Sequence, residues 1–420
     1  MFRRGQHAPA ETANDATGPF HERIAAFSGD IPALVDALLD DATARRAGDV
    51  HLTPTPEGIE VRYRLDGVLA DVALLPPAVA ASVIARLKVL AGLLTYRTDV
   101  PQEGRIEPLT RPQRGEIRLS TFPTLHGERA ALRFVTGAEV LHDLDRLALP
   151  DTVVGSLRHA IAATSGLVII TGPAGAGKTT TLYSCLRAIV ADPHTKRAVI
   201  TLEDPVERAL EGVSQTSLDR RDGGSLASLV KAVLRQDPDV IAIGEIRDRA
   251  TARAAMQAAL TGHLVLTTTH AGDTVEVLTR LSDMRIPPYI LRSGLRAVLA
   301  QRLVRRLCMA CRVEMRSEDL QRNAIGPELR NWFEAAPGGC EACRGTGYSG
   351  RAVIAEWLET GDDALSRSLT ARIDARKLRR LRAEAGAQVL ADDARRLIAE
   401  GVTSPLEVAR VLGVSKWDRS

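Results

Sequence analysis

The chain has 420 residues, 45% of them hydrophobic and 25% charged. That balance belongs to folded globular proteins and excludes a chiefly disordered, collagen-like or mucin-like chain. At ~100–200 residues per domain the length calls for two or three domains, and a net charge of only +3 gives no argument for a polyanion partner.

The most apolar stretch, Leu74 to Leu94, is broken by Pro76, Pro77, Arg86 and Lys88, whereas a membrane span needs ~20 apolar residues. No apolar segment follows the two amino-terminal arginines, so no secretory signal is read and the expected location is the cytoplasm.

In chain order, residues 1–30 are small and polar and read as a loose arm. Residues 31–137 read as a small α+β domain. IPALVDALLDDATARR has helical spacing, and then Ile59, Val61, Tyr63 and Leu65 alternate with Glu60, Arg62 and Arg64 up to an Asp66-Gly67 hairpin turn. The helix SVIARLKVLAGLL and two alternating runs, GEIRLSTF and ERAALRFV, complete it.

Residues 138–305 alternate strands with helices, as a parallel sheet requires. The strands are Leu167 to Thr171, Ala198 to Leu202, Val240 to Ile243 and Leu264 to Thr269, and helices are expected in the gaps. A Gly-rich, Cys-containing module spans 306–352, and helices are expected over 353–420. Ser404, Pro405 and Glu407 stand at the N-cap, N1 and N3 places of a capping box.

The strongest chemical signal is Gly172-Pro173-Ala174-Gly175-Ala176-Gly177-Lys178-Thr179-Thr180, after the strand LVIIT and opening a helix. Several backbone N–H groups can converge on a phosphate chain only from a Gly-rich turn, helped by a helix N-terminus and a cation. Lys178 is placed to reach the β- and γ-phosphates of ATP and Thr179 to ligate Mg²⁺. Glu245 follows the apolar strand VIAIG, where an acid can hold the metal's water shell beside the loop. Glu203, at the end of AVITL, is aimed at the same crevice as the group that polarises the attacking water, with Asp204 and Glu207 close by in sequence. His263 and His270 bracket the strand LVLTTT as candidate γ-phosphate sensors.

Cys308, Cys311, Cys340 and Cys343 form two C-x-x-C pairs, enough thiolates for a closed, structural Zn²⁺ site; redox chemistry and plain buried cysteines are the competing readings. Cys185 reads as core.

These motifs in this order resemble the ATPases that power type II secretion and type IV pilus assembly, from about Gly48 to the end. The resemblance is carried by the phosphate loop, ITLEDPVE, LRQDPDVIAIGEIRD, GHLVLTTTH and the C-x-x-C pair followed by GCEACRGTGYSGR. In the small domain it is carried by VRYRLDG, RLKVLAGL, PQEGRI and RLSTFPTLHGE. It implies a RecA-like P-loop ATPase domain preceded by a smaller α+β domain and followed by a zinc module and a helical tail. It further implies catalytic roles for Arg118 and Arg133, with Arg105 a third candidate. A homo-oligomer, in the family a hexamer, docked on inner-membrane platform proteins is implied too, with no nucleic-acid partner.

Thr53 replaces the family's acid in VHLTP, TYRTDV thins its Arg-rich stretch, and Ala-Gly follows His270 in place of Thr-Asn. The segment before the match is shorter than the family's separate docking domain. Two rival readings stay open: a nucleic-acid translocase, resting on Arg302, Arg305 and Arg306, and a slow ATP-binding scaffold.

Overall fold

The computed structural model describes residues 29–107, 115–135, 143–218, 225–315, 332–361, 367–369 and 374–413. The expected amino-terminal arm lies almost wholly outside them. Two compact units divide the chain, the first built on residues up to Val140 together with Cys340–Thr346 and the second on Leu141–Gly339 and Gly347 onward.

The first unit opens with α1 (Ile31–Ala44), whose N-cap Asp30 accepts a hydrogen bond from the Ala33 amide. A meander of β1 (Asp49–Thr55), β2 (Gly58–Leu65) and β3 (Val68–Leu75) is followed by α2 (Pro77–Leu90) and by β4 (Gln102–Ile106), β5 (Glu116–Thr124) and β6 (Gly127–Val135). The six strands form one antiparallel sheet in the order β3-β2-β1-β6-β5-β4. The alternation holds. Val50, Leu52, Ile59, Val61, Tyr63, Ile117, Leu119 and Leu132 are buried with Leu34, Leu38, Val83 and Leu87 of the helices, and the intervening charged residues take the other face.

Register places Arg105, Arg118 and Arg133 opposite one another across β4, β5 and β6, and Asp49 and Arg64 continue that row across β1 and β2. Arg133 Nε donates to Asp49 Oδ1 at 3.0 Å and Arg118 Nε to Glu116 Oε1 at 3.1 Å. The hairpin between β5 and β6 is held from beneath by Lys88. Its fully buried ammonium donates to Glu128 at 2.8 and 3.0 Å and to the Arg97 carbonyl at 2.7 Å. Removing one partner of such a pair strands the other charge in the interior, at a cost of about 3–5 kcal/mol.

The second unit runs through α3 (Asp151–Ala162), β7 (Gly166–Thr171), α4 (Lys178–Val190), β8 (Val199–Glu203), β9 (Ser214–Ser217), α5 (Leu226–Val233) and β10 (Val240–Ile243). It continues through α6 (Arg249–Leu260), β11 (Leu264–Thr269), α7 (Thr274–Asp283), α8 (Pro288–Gly294) and β12 (Leu295–Leu307). Seven strands pair in the order β15-β12-β7-β11-β10-β8-β9, where β15 is Tyr348–Glu359. All are parallel to their neighbours except β15. The four strands read from the sequence are its centre, buried on both faces between two apolar clusters. Cys185 lies in one of these clusters, where burial pushes its thiol up to about 12.

The sequence expectation differs from the structure at the carboxy side. LRAVLAQRLVRRL, rich in Ala, Leu and Arg, is the 13-residue strand β12, and YSGRAVIAEWLE is its antiparallel partner β15. The sheet therefore continues past residue 305 and into the stretch expected to be helical, and the cysteine module is an insertion between two paired strands. That module contains the short pair β13 (Val313–Glu314) and β14 (Phe333–Glu334).

Helices α9 (Ala375–Glu384), α10 (Leu390–Ala399) and α11 (Pro405–Leu412) complete the chain. Ser404 caps α11 as read, accepting from the Glu407 amide at 3.2 Å. Burial alone would raise the Glu407 carboxyl, but hydrogen bonds from Arg410 and Arg305 outweigh it and hold the group below its ordinary value. No helix among the described residues is long and apolar enough to cross a membrane.

Candidate nucleotide site and cysteine cluster

The phosphate loop joins β7 to α4 at the carboxyl edge of the sheet, where β8, β10 and β11 also end. Its shape demands glycine at two points. A Cβ on Gly172, at φ +153°, would lie 2.4 Å from the Gln301 carbonyl oxygen, and Gly177 caps α4 in the left-handed region at φ +83°. Gln301 of β12 is almost fully buried; its amide donates to the Ala176 carbonyl at 2.6 Å and accepts from Thr181 Oγ1 at 3.0 Å. One side chain thus ties the loop to the helix that follows it. Sequence reasoning missed Gln301, because the segment carrying it did not read as a strand beside the loop.

Lys178 Nζ uses all three donors inside this crevice. They go to the Gly172 carbonyl at 2.9 Å, the Pro173 carbonyl at 3.0 Å and His270 Nδ1 at 3.2 Å. The other nitrogen of that ring, Nε2, lies 3.2 Å from Glu245 Oε1. A lysine ammonium only donates, so Nδ1 accepts and Nε2 carries the proton toward the carboxylate. Burial lowers the Lys178 pKa and the nearby Arg302 charge lowers it further, against the opposing attraction of Glu245.

Glu203 ends β8 almost fully buried. Oε2 accepts from Tyr183 OH at 2.5 Å, and Oε1 accepts from Thr201 Oγ1 at 2.6 Å and Gln215 Nε2 at 3.2 Å. Burial, with the Glu203 carboxylate as acceptor, raises the Tyr183 pKa. Tyr183 is a second residue the sequence reading missed, since no motif marks an aromatic on the loop's own helix.

The strand ends are laced together by threonines. Thr171 Oγ1 accepts from the Ala271 amide at 2.9 Å, and Thr268 Oγ1 donates to the Gly244 carbonyl at 2.7 Å. Asp204 and Glu207 are exposed beyond the strand end.

The structure brings Lys178, His270 and Glu245 into one hydrogen-bonded chain but leaves His263 out. His263 and His270 flank β11 (Leu264–Thr269), and six strand residues span ~20 Å, so the two histidines occupy opposite edges of the sheet. His263 Nδ1 lies 3.0 Å from the Ala258 carbonyl and finishes the end of α6. Nor do the three arginines of the translocase reading form one free patch. Arg302 donates to the Gly272 carbonyl at 2.8 Å, while Arg305 stacks on the Tyr348 ring and binds Glu407 at 2.9 Å.

The Sγ atoms of Cys308, Cys311, Cys340 and Cys343 lie within 4.8 Å of one another, with no disulfide among them. Cys340 and Cys343 sulfurs are 3.8 Å apart, which matches the roughly 3.8 Å edge of a tetrahedron built on metal–thiolate bonds of about 2.3 Å. Cys343 Sγ also accepts from the Cys340 amide at 3.1 Å, a bond that steadies a thiolate. The donor set fits a four-coordinate metal with no open position.

A glycine loop opening a helix at the sheet's carboxyl edge, with strand-end acids beside it, is the arrangement of a P-loop. A family model described as type II/IV secretion system protein matches residues 25–410, and the chain belongs to that family of secretion and pilus-assembly ATPases. It is 41% identical over 378 residues to the type II secretion system protein HxcR of Pseudomonas aeruginosa, covering 90% of this chain and 76% of that one. It is 36% identical to the type IV pilus assembly ATPase PilB of Thermus thermophilus, covering 89% of this chain and 42% of that one. Among solved structures, the ATPase DotB of Legionella pneumophila matches 90% of this chain and 94% of its own with a TM-score of 0.63 at 22% identity. The pilus retraction motor PilT with bound ADP matches 89% of this chain and 95% of its own at 0.58 and 23%. These structures share the fold.

Proposed function

We propose that the chain hydrolyses ATP to drive assembly of a pseudopilus or pilus, working as a hexamer on the cytoplasmic side of an inner-membrane platform protein. The observation that carries the chemistry is the bridge Lys178–His270–Glu245. It puts the loop cation, a histidine and a strand-end acid within hydrogen-bond reach, one strand away from Glu203. With ATP in the loop, Lys178 exchanges the Gly172 and Pro173 carbonyls for phosphate oxygens, which are stronger acceptors. Thr179 and Glu245 would hold Mg²⁺, which when bound neutralises phosphate charge. Glu203 orients the attacking water and takes its proton, and His270 follows the γ-phosphate through its contact with Lys178. The test is phosphate release by the purified, assembled chain with Mg²⁺ and ATP; ATP binding with no release overturns the hydrolytic reading.

The family resemblance assigns Arg118 and Arg133 to charge neutralisation in the transition state, and their row in the sheet presents them together. Arg133→Ala should lower kcat by ~10-fold or more while ATP affinity changes by less than ~3-fold, because the group acts where charge develops. Unchanged turnover removes Arg133 from the mechanism.

The four cysteines are proposed to hold one structural Zn²⁺ per chain. Elemental analysis of reduced protein should find it, and Cys343→Ser should lose it, since three thiolates leave the tetrahedron open. The loss should loosen residues 308–315 and 332–347 in hydrogen exchange while ATP still binds. Zinc content unchanged by Cys343→Ser overturns the assignment.

A further inference from the structure

The turn that follows β11 is held at every residue. The His270 carbonyl accepts from Arg280 at 3.2 Å, both main-chain groups of Ala271 bind Thr171 Oγ1, and the Gly272 carbonyl accepts from Arg302 at 2.8 Å. The Gly272 amide donates to Glu276 Oε2 at 2.6 Å.

The last two holds come from the carboxy-terminal helix α9. Arg379 Nη2 binds Asp273 Oδ2 at 3.0 Å, and Asp273 is the N-cap of α7, accepting from the Glu276 amide at 2.7 Å. Arg382 Nη1 donates to Thr274 Oγ1 at 2.7 Å. Arg382 is nearly buried. It forms an ion pair with the buried Glu356 of β15, which also accepts from Thr274, and it reaches the Trp357 and Gln388 carbonyls at 3.2 and 3.3 Å.

Helix α9 lies far along the chain from the phosphate loop, yet it grips the first turn of α7, three and four residues beyond the histidine that bridges Lys178 and Glu245. A guanidinium on an N-cap carboxylate and another on the adjoining hydroxyl fix where α7 begins. The start of α7 fixes the short turn that aims the His270 ring.

We propose that Arg379 and Arg382 are positioning residues for His270, so that the seating of helix α9 against the first turn of α7 sets the turnover of the nucleotide site. The proposal rests on the role given above to His270. It makes the carboxy-terminal tail an input to the chemistry, a route by which displacement of α9 slows hydrolysis without altering the loop that binds phosphate.

The experiment is a double-mutant cycle on the assembled full chain, reading kcat, KM and ATP affinity for wild type, His270→Ala, Arg379→Ala, Arg379→Lys and the His270→Ala/Arg379→Ala double variant. Arg379 is more than half exposed, so its truncation leaves the fold standing; the buried Arg382 is probed by Arg382→Lys, with a thermal melt to confirm folding. Arg379→Ala should lower kcat by ~3- to 10-fold with ATP affinity within twofold, Arg379→Lys should recover most of the loss, and Arg379→Ala should add nothing in the His270→Ala background. Arg382→Lys should lower kcat in the same direction. If His270→Ala turns over normally, the role of His270 itself is wrong. If His270→Ala is impaired but Arg379→Ala is silent, or its loss adds in full to that of His270→Ala, the α9 proposal is overturned.

Discussion

Lys178→Ala should abolish measurable ATP hydrolysis, lowering kcat by at least ~10²–10³, the scale for losing a preorganised charge donor at developing transition-state charge. Its ammonium is the loop's own cation, placed at the start of α4 by the left-handed cap at Gly177. Its three donors are satisfied by two loop carbonyls and His270, so the group is already aimed into the loop. The fold should survive the change. Burial, with the neighbouring Arg302, presses the Lys178 pKa down against the attraction of Glu245, so on balance the surroundings oppose the charge and removing it relieves that opposition. A melting temperature within a few degrees of wild type, together with weakened ATP binding and no phosphate release, is the expected pattern. Hydrolysis at the wild-type rate in the purified variant would remove the loop from the chemistry.

The parts of the molecule that were legible in the sequence are those where local signals and tertiary demands agree. β7, β10 and β11 are short β-branched runs buried on both faces, and the loop's glycines are required by its backbone, so periodicity and composition named them directly. The strand β12 was not legible. Leu, Ala and Arg at its positions favour a helix, and what makes it a strand is pairing with β7 on one side and β15 on the other, a long-range gain that overrides local propensity. That one miss hid Gln301 and left Arg302 in the cluster of the translocase reading, although both reach the loop's crevice from β12. His263 was misplaced for a different reason: proximity to a motif in sequence says nothing about which end of a strand a residue occupies, and a parallel strand carries its two ends to opposite edges. Tyr183 was invisible because an aromatic residue on the buried face of a helix reads as packing, and only the Glu203 oxygen 2.5 Å away gives it a polar purpose.

Glu203→Gln should leave ATP bound and the site folded while lowering kcat by ~10² or more, the usual worth of a positioned general base. The substitution is tolerable because the hydroxyl partners adapt. An amide oxygen in place of Oε1 still accepts from Thr201 and Gln215, and the new NH₂ in place of Oε2 can donate to a Tyr183 hydroxyl turned to accept. Shape and hydrogen-bond count are kept, and what disappears is the capacity to take a proton from water. In the structure three donors converge on the two carboxylate oxygens, two on Oε1 and only Tyr183 on Oε2, which keeps a lone pair for the water. Tyr183→Phe is therefore the control. It deletes a donor but spares the carboxylate, and its effect on kcat should be several-fold smaller than that of Glu203→Gln. Single-turnover hydrolysis with pre-bound ATP separates the chemical step from binding. A loss of only twofold in Glu203→Gln would move the role to Glu245, the remaining strand-end acid, whose carboxylate already meets the ring of His270.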